Sequence, residues 1–323
     1  MIGRRRIAAL VGASLAPAVA RADDFPGRSI SLVVPFPPGT PGDMLARLVA
    51  RPAAAALGGQ PILIENRTVA NGVPAAASVA RAAPDGYTLL LATPAQVTVP
   101  AAILRVPSLD PARDLAPVAY LVDMPMVLVV SAASTIGSLS DFVGQARDRR
   151  GALNFASTGV GTLSHLVMEN LKLAAGIEVE HVPYRGNAAA LTDLHAGQVQ
   201  AAFVTTAVAA PMLGSGKFRA LAVTGHGRSL SLPDVPTLAE AGLPGAEAPL
   251  WVGIMAPTGV PRVVVRQLER AFDDAVASPD VRERMRLFGA DPVGQGARAL
   301  AEAVAADLAV WRRVAAATGL TMD

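Results

Sequence analysis

The sequence predicts a two-lobed α/β protein with a ligand cleft between the lobes. In residues 30–92, apolar β-branched runs alternate with helical patterns through short links, which is typical of a parallel sheet covered by helices. The same rhythm returns in residues 125–223. Irregular, proline-rich connections near residues 94–125 and 225–248 indicate a chain that crosses to a second lobe and returns.

The crossovers give the predicted domain boundaries. Residues 1–22 are predicted to be a cleaved leader, residues 23–124 with 248–323 to form lobe 1, and residues 125–247 to form lobe 2. Ligands of open parallel sheets bind beside the βα loops at the carboxyl ends of the strands. Two facing lobes would therefore place two such loops across one cleft.

The N-terminal residues have the pattern of a secretory signal. Arg4, Arg5 and Arg6 precede an apolar stretch over residues 7–20, and Ala20-Arg21-Ala22 fits a small-x-small cleavage site; Ala18-Val19-Ala20 is an alternative. The apolar stretch is shorter than the roughly 20 residues of a spanning helix. We expect export to the periplasm, with twin-arginine export, a membrane anchor or a frayed helix as the alternatives.

Composition excludes several functional classes. Removing residues 1–22 takes away four arginines and no acids, so the 28 basic residues become 24 against 26 acidic ones. No basic run of five or more remains, which argues against nucleic acid and anionic membranes as partners. No segment after residue 22 has 18 uninterrupted apolar residues, which argues against stable membrane insertion after cleavage. The chain has no cysteine, so disulfides, thiolate metal sites and a cysteine nucleophile are excluded.

Lobe 1 is predicted to open with a strand and an unusually stiff loop. The apolar run after Ser29 breaks into Pro37-Pro38-Gly39-Thr40-Pro41-Gly42, and Asp43 is placed to cap a helix over residues 44–50. A strand, a rigid glycine/proline loop and a helix N-terminus form an anion site, because free N–H groups and the helix dipole point to one spot. An ordinary βα turn is the alternative.

The remaining elements follow the same criteria. Later strands are predicted at residues 61–66, 87–92, 125–130, 153–156, 178–182, 199–204, 218–223 and 250–255. Helices are predicted at residues 73–82, 138–150, 164–175, 187–196, 207–213, 261–277, 279–288 and 297–317. Residues 94–117 are predicted to be irregular.

A second anion loop is predicted in lobe 2. The segment Ser157-Thr158-Gly159-Val160-Gly161-Thr162-Leu163-Ser164 follows a strand and opens a helix, and its hydroxyls can donate to an oxyanion or cap the helix. His165 follows directly, with ligand contact and a solvent-facing position as its two interpretations. The alternative for this loop is a dinucleotide fingerprint, but its third glycine position is Ser164.

Other motifs are incomplete. Gly214-Ser215-Gly216-Lys217 resembles the end of a phosphate-binding loop, yet Pro211 and Phe218 occupy its required glycine and hydroxyl positions. The four histidines lack the spacing of a zinc site. We therefore predict no catalytic residue, no metal and no cofactor, and two glycine/hydroxyl loops favour a small carboxylate as ligand.

Six short motifs occur in an order that resembles a known family. They are Val34-Pro35-Phe36-Pro37-Pro38-Gly39 with Asp43, Glu65-Asn66-Arg67, Pro84-Asp85-Gly86-Tyr87-Thr88, His181-Val182-Pro183-Tyr184-Arg185-Gly186, Asp193-Leu194 with Gly197-Gln198, and Leu232-Pro233-Asp234-Val235-Pro236-Thr237 with Glu240-Ala241-Gly242. This order resembles the Bug (TctC-type) receptors, the solute-binding components of tripartite tricarboxylate transporters, over the whole mature chain.

The resemblance implies a type II-like periplasmic binding protein, not an enzyme, that closes on a small carboxylate and presents it to a membrane permease or a sensor. In such receptors, backbone N–H groups of two facing loops hold the carboxylate; those loops correspond here to residues 36–43 and 157–165. An exported α/β enzyme acting on a small carboxylic acid in the same cleft is the alternative. The predicted ligand-binding residues are Phe36, Gly39, Thr40, Pro41, Asp43, Thr93, Ser157, Gly161, Thr162, Ser164, His165, Tyr184, Gly186 and Thr205.

The chain departs from the family pattern in three places. Gly39-Thr40-Pro41-Gly42-Asp43 replaces the usual Gly-Gly-Ser-Thr-Asp, and Val69-Ala70-Asn71-Gly72 replaces Gly-Ala-Gly-Gly. Val204-Thr205-Thr206 stands where many members carry an aspartate that could pair with a ligand amine. Its absence argues against amino acids as ligands. Arg185 is the nearest basic candidate by motif.

Overall fold

The computed structural model describes residues 25–148 and 150–322. The predicted leader lies outside these residues. The strands are β1 (Ile30–Val34), β2 (Ile62–Asn66), β3 (Thr88–Ala92), β4 (Leu115–Asp123), β5 (Met126–Ser131), β6 (Asn154–Ser157), β7 (Glu180–Pro183), β8 (Ala201–Thr205), β9 (Phe218–Val223), β10 (Trp251–Pro257) and β11 (Asp291–Gly296).

The helices follow the predicted order with two short additions. They are α1 (Pro41–Ala56), α2 (Val73–Ala80), α3 (Thr98–Ile103), α4 (Pro111–Asp114), α5 (Leu139–Asp148), α6 (Leu163–Ala175), α7 (Asn187–His195), α8 (Thr206–Gly214), α9 (Arg262–Ala277), α10 (Pro279–Leu287) and α11 (Ala297–Thr318). No helix among the described residues is long and apolar enough to cross a membrane.

The first sheet has the strand order β11-β4-β10-β3-β1-β2. Only β1, β2 and β3 pair in parallel, whereas β10 runs antiparallel to both β3 and β4, and β4 runs antiparallel to β11. The prediction of a parallel sheet is therefore correct for the first three strands and wrong for the others. The return crossover, which brings β10 back between β3 and β4, accounts for the mixed direction.

Two strands of this sheet were not predicted. β4 begins inside the segment predicted to be irregular and contains Pro117, which pairs with Met255 where the register shifts. β11 contains Pro292 and lies at the sheet edge. Proline removes a ladder donor, so it is tolerated at irregularities and edges, and its presence hid both strands from sequence reasoning.

The second sheet has the order β7-β6-β8-β5-β9. β6 pairs in parallel with β7 and β8, and β5 pairs antiparallel with β8 and β9. The loops after β6, β7 and β8 consequently emerge at one edge of the sheet, which faces the loops of the first sheet.

The long helix α11 joins the two halves of the molecule. Near its start, Leu300 and Val304 pack in one cluster with Trp251 of the first sheet. Further along, Trp311 and Val314 are buried in the cluster built on the second sheet. The domain boundaries given above stay a prediction, but the packing shows that α11 belongs to both cores.

The first helix begins three residues earlier than predicted. α1 starts at Pro41, with Thr40 in the N-cap position and no side-chain cap. Proline is favoured at this point because the N–H group it lacks has no intrahelical partner there. The prediction that Asp43 caps the helix is therefore wrong; this residue lies inside the first turn.

Candidate functional site

A cleft of about 710 Å³ separates the loops of the two sheets. The first-sheet side supplies Pro35, Phe36, Pro37, Thr68, Asn71, Val73, Ala95 and Gln96. The region of α3, the residue before β10 and the C-terminal segment supply Val99, Pro100, Ile103, Leu104, Leu250 and Met322, of which Val99 and Ile103 are buried in the cluster of the second sheet. The second-sheet side supplies Met126, Thr158, Val160, Gly161, Thr162, Leu163, Ser164, Asn187, Phe203, Val204 and Thr205. No charged side chain occurs among these described lining residues.

Four helices begin at the edge of the cleft. The lining includes the first residues of α2 (Val73), α6 (Leu163) and α7 (Asn187), and the N-cap residue of α8 (Thr205). None of the four N-termini has a side-chain cap. The first N–H groups of α2 and α8 donate to the Ala70 and Pro125 carbonyls. Because the N-terminus of a helix carries a partial positive charge and further N–H groups without intrahelical acceptors, this cleft favours an anion although its described lining contains no cation.

Loop one, residues 36–43, is held from behind by a buried carboxylate. Asp43 is only 2% exposed and accepts hydrogen bonds from the Gly39 N–H (2.9 Å), Asn66 Nδ2 (2.8 Å) and Arg47 Nε (3.0 Å). The hydrogen bond from Arg47, followed by the bonds from Asn66 and Gly39, lowers the pKa of Asp43 to about 2. Asp43 is thus ionised at neutral pH, and its hydrogen bonds hold loop one in place.

Of the predicted residues in loop one, Phe36 lines the cleft. The ring of Phe36 covers Gly42 so closely that a Cβ there would lie 2.5 Å from Phe36 Cδ2. Gly39, Thr40, Pro41 and Asp43 lie outside the cleft lining. Thr40 is turned toward its own loop, where its hydroxyl donates to the Pro37 carbonyl (2.7 Å).

A left-handed turn not singled out by the site prediction lies beside loop one. Ala70, Asn71 and Gly72 have φ values of 47°, 55° and 78° and lead directly into α2. Left-handed backbone is costly for residues other than glycine, and such strain clusters at functional sites. The Gln96 amide fastens the turn by donating to the Asn71 carbonyl (3.0 Å).

Thr93 supports this arrangement without reaching the cleft. It is 4% exposed, and its hydroxyl donates to Gln96 Oε1 (2.5 Å). Gln96 itself lines the cleft. The loop after β3 therefore lines the cleft through Ala95 and Gln96 and not through the predicted Thr93.

Loop two, residues 157–165, forms much of the opposite wall. Gly161, Thr162 and Ser164 line the cleft. Ser164 Oγ accepts from the Thr158 N–H (3.1 Å), and Thr162 Oγ1 donates to the Gly159 carbonyl (2.7 Å). These internal hydrogen bonds fix the loop before any ligand arrives, which lowers the entropic cost of binding.

Two histidines hold loop two from its inner side. His165 is 6% exposed and its Nδ1 accepts from the Gly161 N–H (3.1 Å), so the solvent-facing interpretation of His165 is wrong. His181 Nε2 lies 2.6 Å from Ser157 Oγ, and the two imidazole rings stack with centroids 3.9 Å apart. Burial lowers the pKa of each histidine to about 4, with a further lowering from Lys172 at His165 and from His165 at His181.

The remaining predicted residues lie at or beyond the ends of β6, β7 and β8. Thr205 lines the cleft, whereas Ser157, His165, Tyr184 and Gly186 do not. Tyr184 donates to Asp193 Oδ2 (2.7 Å), and the next residue, Arg185, is exposed and outside the lining. Gly186 is the N-cap of α7, and its neighbour Asn187 reaches the cleft instead.

Five of the predicted residues thus meet around one cleft: Phe36, Gly161, Thr162, Ser164 and Thr205. Their role in binding stays a prediction. Sequence reasoning missed the polar residues Thr68, Asn71, Gln96 and Asn187. Each of Asn71, Gln96 and Asn187 lies at or just before the start of a helix. Polar residues at predicted helix starts were therefore the sequence signal that could have identified these three as lining residues.

Two α/β lobes whose βα loops face each other across one cleft define a two-lobed solute-binding protein. Residues 45–320 match the model of the TctC family, described as the tripartite tricarboxylate transporter family receptor. The chain belongs to this receptor family, which confirms the resemblance drawn from the six motifs.

Relatives and solved structures agree with this assignment. The chain is 35% identical over 294 residues to BugT of Bordetella pertussis, covering 89% of this chain and 90% of that protein. It is similar to MatC from Rhodopseudomonas palustris with bound malate, at 35% identity and a TM-score of 0.73, covering 90% of this chain and 99% of that one. It is also similar to a second R. palustris protein with adipate, at 35% identity and a TM-score of 0.76, covering 92% and 99%.

Proposed function

We propose that this protein is an exported receptor that captures a small carboxylate between its lobes and presents it to a membrane permease. The observation that carries the proposal is the uncharged cleft onto which α2, α6, α7 and α8 direct uncapped N-termini. Such a site attracts an anion through backbone donors and helix dipoles. Closure of the lobes would expel water and strengthen these contacts.

The size and composition of the cleft support a small organic acid. About 710 Å³ accommodates a dicarboxylate together with bridging waters. Solved relatives with malate and with adipate lend support to this ligand class. The cleft has no acidic lining residue among those described, so it offers no carboxylate to pair with a ligand ammonium, which favours carboxylates over amino acids.

We further propose that residues 1–22 direct the chain to the periplasm and are removed there. The basic start and apolar stretch support this, as does the periplasmic setting named for a related solved structure. A permease as partner follows from membership of a transporter receptor family.

The proposal is tested by placing a fixed negative charge in the cleft. Thr162 is the N-cap of α6 and lines the cleft, and both aspartate and asparagine are good N-cap residues. Calorimetric titration with malate and adipate should show binding to the wild type and to Thr162→Asn. Thr162→Asp should bind at least about tenfold more weakly, because its carboxylate competes for the same donors.

Two results would contradict the proposal. One is equal affinity of Thr162→Asp and Thr162→Asn for each acid that binds. The other is binding of malamide, the neutral diamide, as tight as that of malate, since recognition would then not depend on ligand charge. Turnover of a bound acid by the purified protein would instead favour the enzyme alternative.

A further inference from the structure

The C-terminal segment of the chain is fastened beside the cleft. The Met322 N–H donates to the Ile103 carbonyl (2.8 Å), and the Met322 carbonyl accepts from the Arg105 N–H (3.0 Å). These two bonds form a parallel bridge opposite Leu104. Met322 is thus held on the end of α3 and on the residues that follow it, and Ile103 and Leu104 of this region line the cleft.

From this anchor, the Met322 side chain reaches loop two. A Cβ added to Gly161 would lie 2.3 Å from Met322 Sδ and 3.0 Å from Ile103 Cδ1. Gly161 also has a φ of 73°, which a side chain disfavours. The glycine therefore leaves the space that the methionine occupies, and Met322 lies against loop two beside Ile103.

The surroundings of Met322 are apolar. It packs against the buried cluster that contains Val99, Ile103, Leu163 and Phe203, all of which line the cleft. The polar lining residues are hydroxyls and amides at or near helix starts, such as Thr162, Ser164 and Asn187. The cleft thus combines donors for a carboxylate with a hydrocarbon wall.

We propose that Met322 is a specificity-determining residue, whose side chain limits the length of the apolar body that a bound carboxylate can have. This inference rests on the proposed carboxylate function and deepens it. It assigns as ligands carboxylates with a hydrocarbon body, in preference to hydroxylated tricarboxylates such as citrate, which would leave the hydroxyl group unpaired against this wall.

The test compares the α,ω-dicarboxylates from succinate to suberate in calorimetric titrations, with citrate as the hydroxylated competitor. Shortening Met322 to alanine frees room for about two methylenes, each changing affinity roughly fourfold when buried. For Met322→Ala, the affinity for suberate relative to succinate should rise roughly tenfold over its wild-type value. Wild type should bind adipate more tightly than citrate.

Two control variants separate side-chain shape from loosening of the protein. Leu320→Ala removes a partly buried side chain from the same tail that does not line the cleft, and Met212→Ala removes a half-buried methionine from α8 outside the lining. Both should keep the wild-type preference. The same shift in Leu320→Ala as in Met322→Ala would overturn the inference, because tail packing alone would then explain it.

The outcomes distinguish this inference from the function on which it rests. If wild type binds the acids and Met322→Ala keeps the same chain-length preference, the role of Met322 is refuted and the proposed function stands. Absence of binding to every acid in every variant removes the proposed function and the inference together.

A double-mutant cycle without ligand tests the contact between Met322 and Gly161. Gly161→Ala should lower the Tm, and this loss should be at least about 2 °C smaller in the Met322→Ala background. Additive Tm changes would overturn the contact between Met322 and Gly161.

Discussion

The imidazole ring of His165 stacks on that of His181 with their centroids 3.9 Å apart, and each ring binds a different residue of loop two. His165 accepts from the Gly161 N–H, and His181 contacts the Ser157 hydroxyl. Glu169 faces the pair, with Oε1 at 3.7 Å from His165 Nε2 and at 2.8 Å from Lys172 Nζ. The geometry of loop two therefore depends on a neutral His165, since only a neutral ring can accept at Nδ1.

This arrangement predicts that the two histidines contribute a loss of stability in mild acid, while buried carboxyls such as Asp307 contribute with the opposite sign. Both histidines have a pKa of about 4 in the folded protein against an ordinary value of 6.5. At these two residues the unfolded chain binds more protons between these values, so their contribution to the free energy of unfolding falls as the pH drops from about 6.5 to 4. Urea denaturation across this range measures the slope.

A matched set of variants assigns the slope to the buried pair. His165→Gln combined with His181→Gln should make the slope less positive than in wild type, because glutamine does not titrate. His195→Gln at an exposed site is the control for the substitution itself. An unchanged slope in the double variant would show that other groups carry the acid sensitivity.

The Asp43 carboxylate behind loop one yields a second prediction. In Asp43→Asn, an amide NH₂ group must face one of the donors from Gly39, Arg47 or Asn66, so a buried polar group loses its partner. We expect a loss of about 2–3 kcal/mol in the free energy of unfolding, measured by urea denaturation at pH 7. Glu302→Gln, which breaks the exposed pair with Arg298, should cost less than about 0.5 kcal/mol.

A third prediction concerns a buried carboxyl that links α11 to the wall of the cleft. Asp307 accepts from the Thr98 hydroxyl and from Trp251 Nε1 (3.1 Å) through the same oxygen, and Thr98 opens α3. Burial raises the pKa of Asp307 to about 6, although these hydrogen bonds oppose the rise. The folded protein thus holds a proton that the unfolded chain releases above about pH 4.

The sign of this effect is opposite to that of the histidines. The contribution of Asp307 is present below about pH 4 and is lost as the pH rises through 6. Asp307→Asn keeps an acceptor but cannot ionise, so its stability relative to wild type should improve between pH 4.5 and pH 8 by roughly 2 kcal/mol. Paired urea curves at each pH test this, and a constant difference would contradict it. Asp280→Asn at an exposed site is the control. Its stability relative to wild type should change by less than about 0.5 kcal/mol over the same pH range.

Sequence reasoning found the elements whose local pattern agrees with their final environment. The run from Ile30 to Val34 is buried along nearly its whole length, and the glycine/hydroxyl loop from Ser157 to Ser164 follows a strand and begins a helix as predicted. In both cases apolar burial and chain punctuation act over a few residues, so they are visible without tertiary structure.

The failures share a tertiary cause. Strand β4 can contain Pro117 only because its pairing with β10 is irregular at that point. The partner of His165 lies 16 positions along the chain in β7, and Met322 reaches Gly161 from the far end of the sequence. Contacts of this kind are set by how the two sheets are placed, which periodicity and turn chemistry do not encode.

The last prediction tests the left-handed turn beside the cleft. Gly72 has a φ of 78°, and a Cβ there would lie 2.3 Å from Pro35 Cβ and 3.0 Å from the Pro35 carbonyl oxygen. The obstruction is a proline and its backbone, so it cannot rotate away. Gly72→Ala should therefore combine left-handed strain of about 1 kcal/mol with overpacking of about 1–3 kcal/mol.

Gly58→Ala is the matched control, because Gly58 has a similar φ of 72° with no atom within 4 Å of its added Cβ. It should show only the strain of about 1 kcal/mol and leave ligand affinity unchanged. Since Pro35 lines the cleft, Gly72→Ala should also weaken adipate binding as it displaces loop one. Equal stability losses in the two variants, measured by urea denaturation, would mean that the contact between Gly72 and Pro35 does not hold loop one in place.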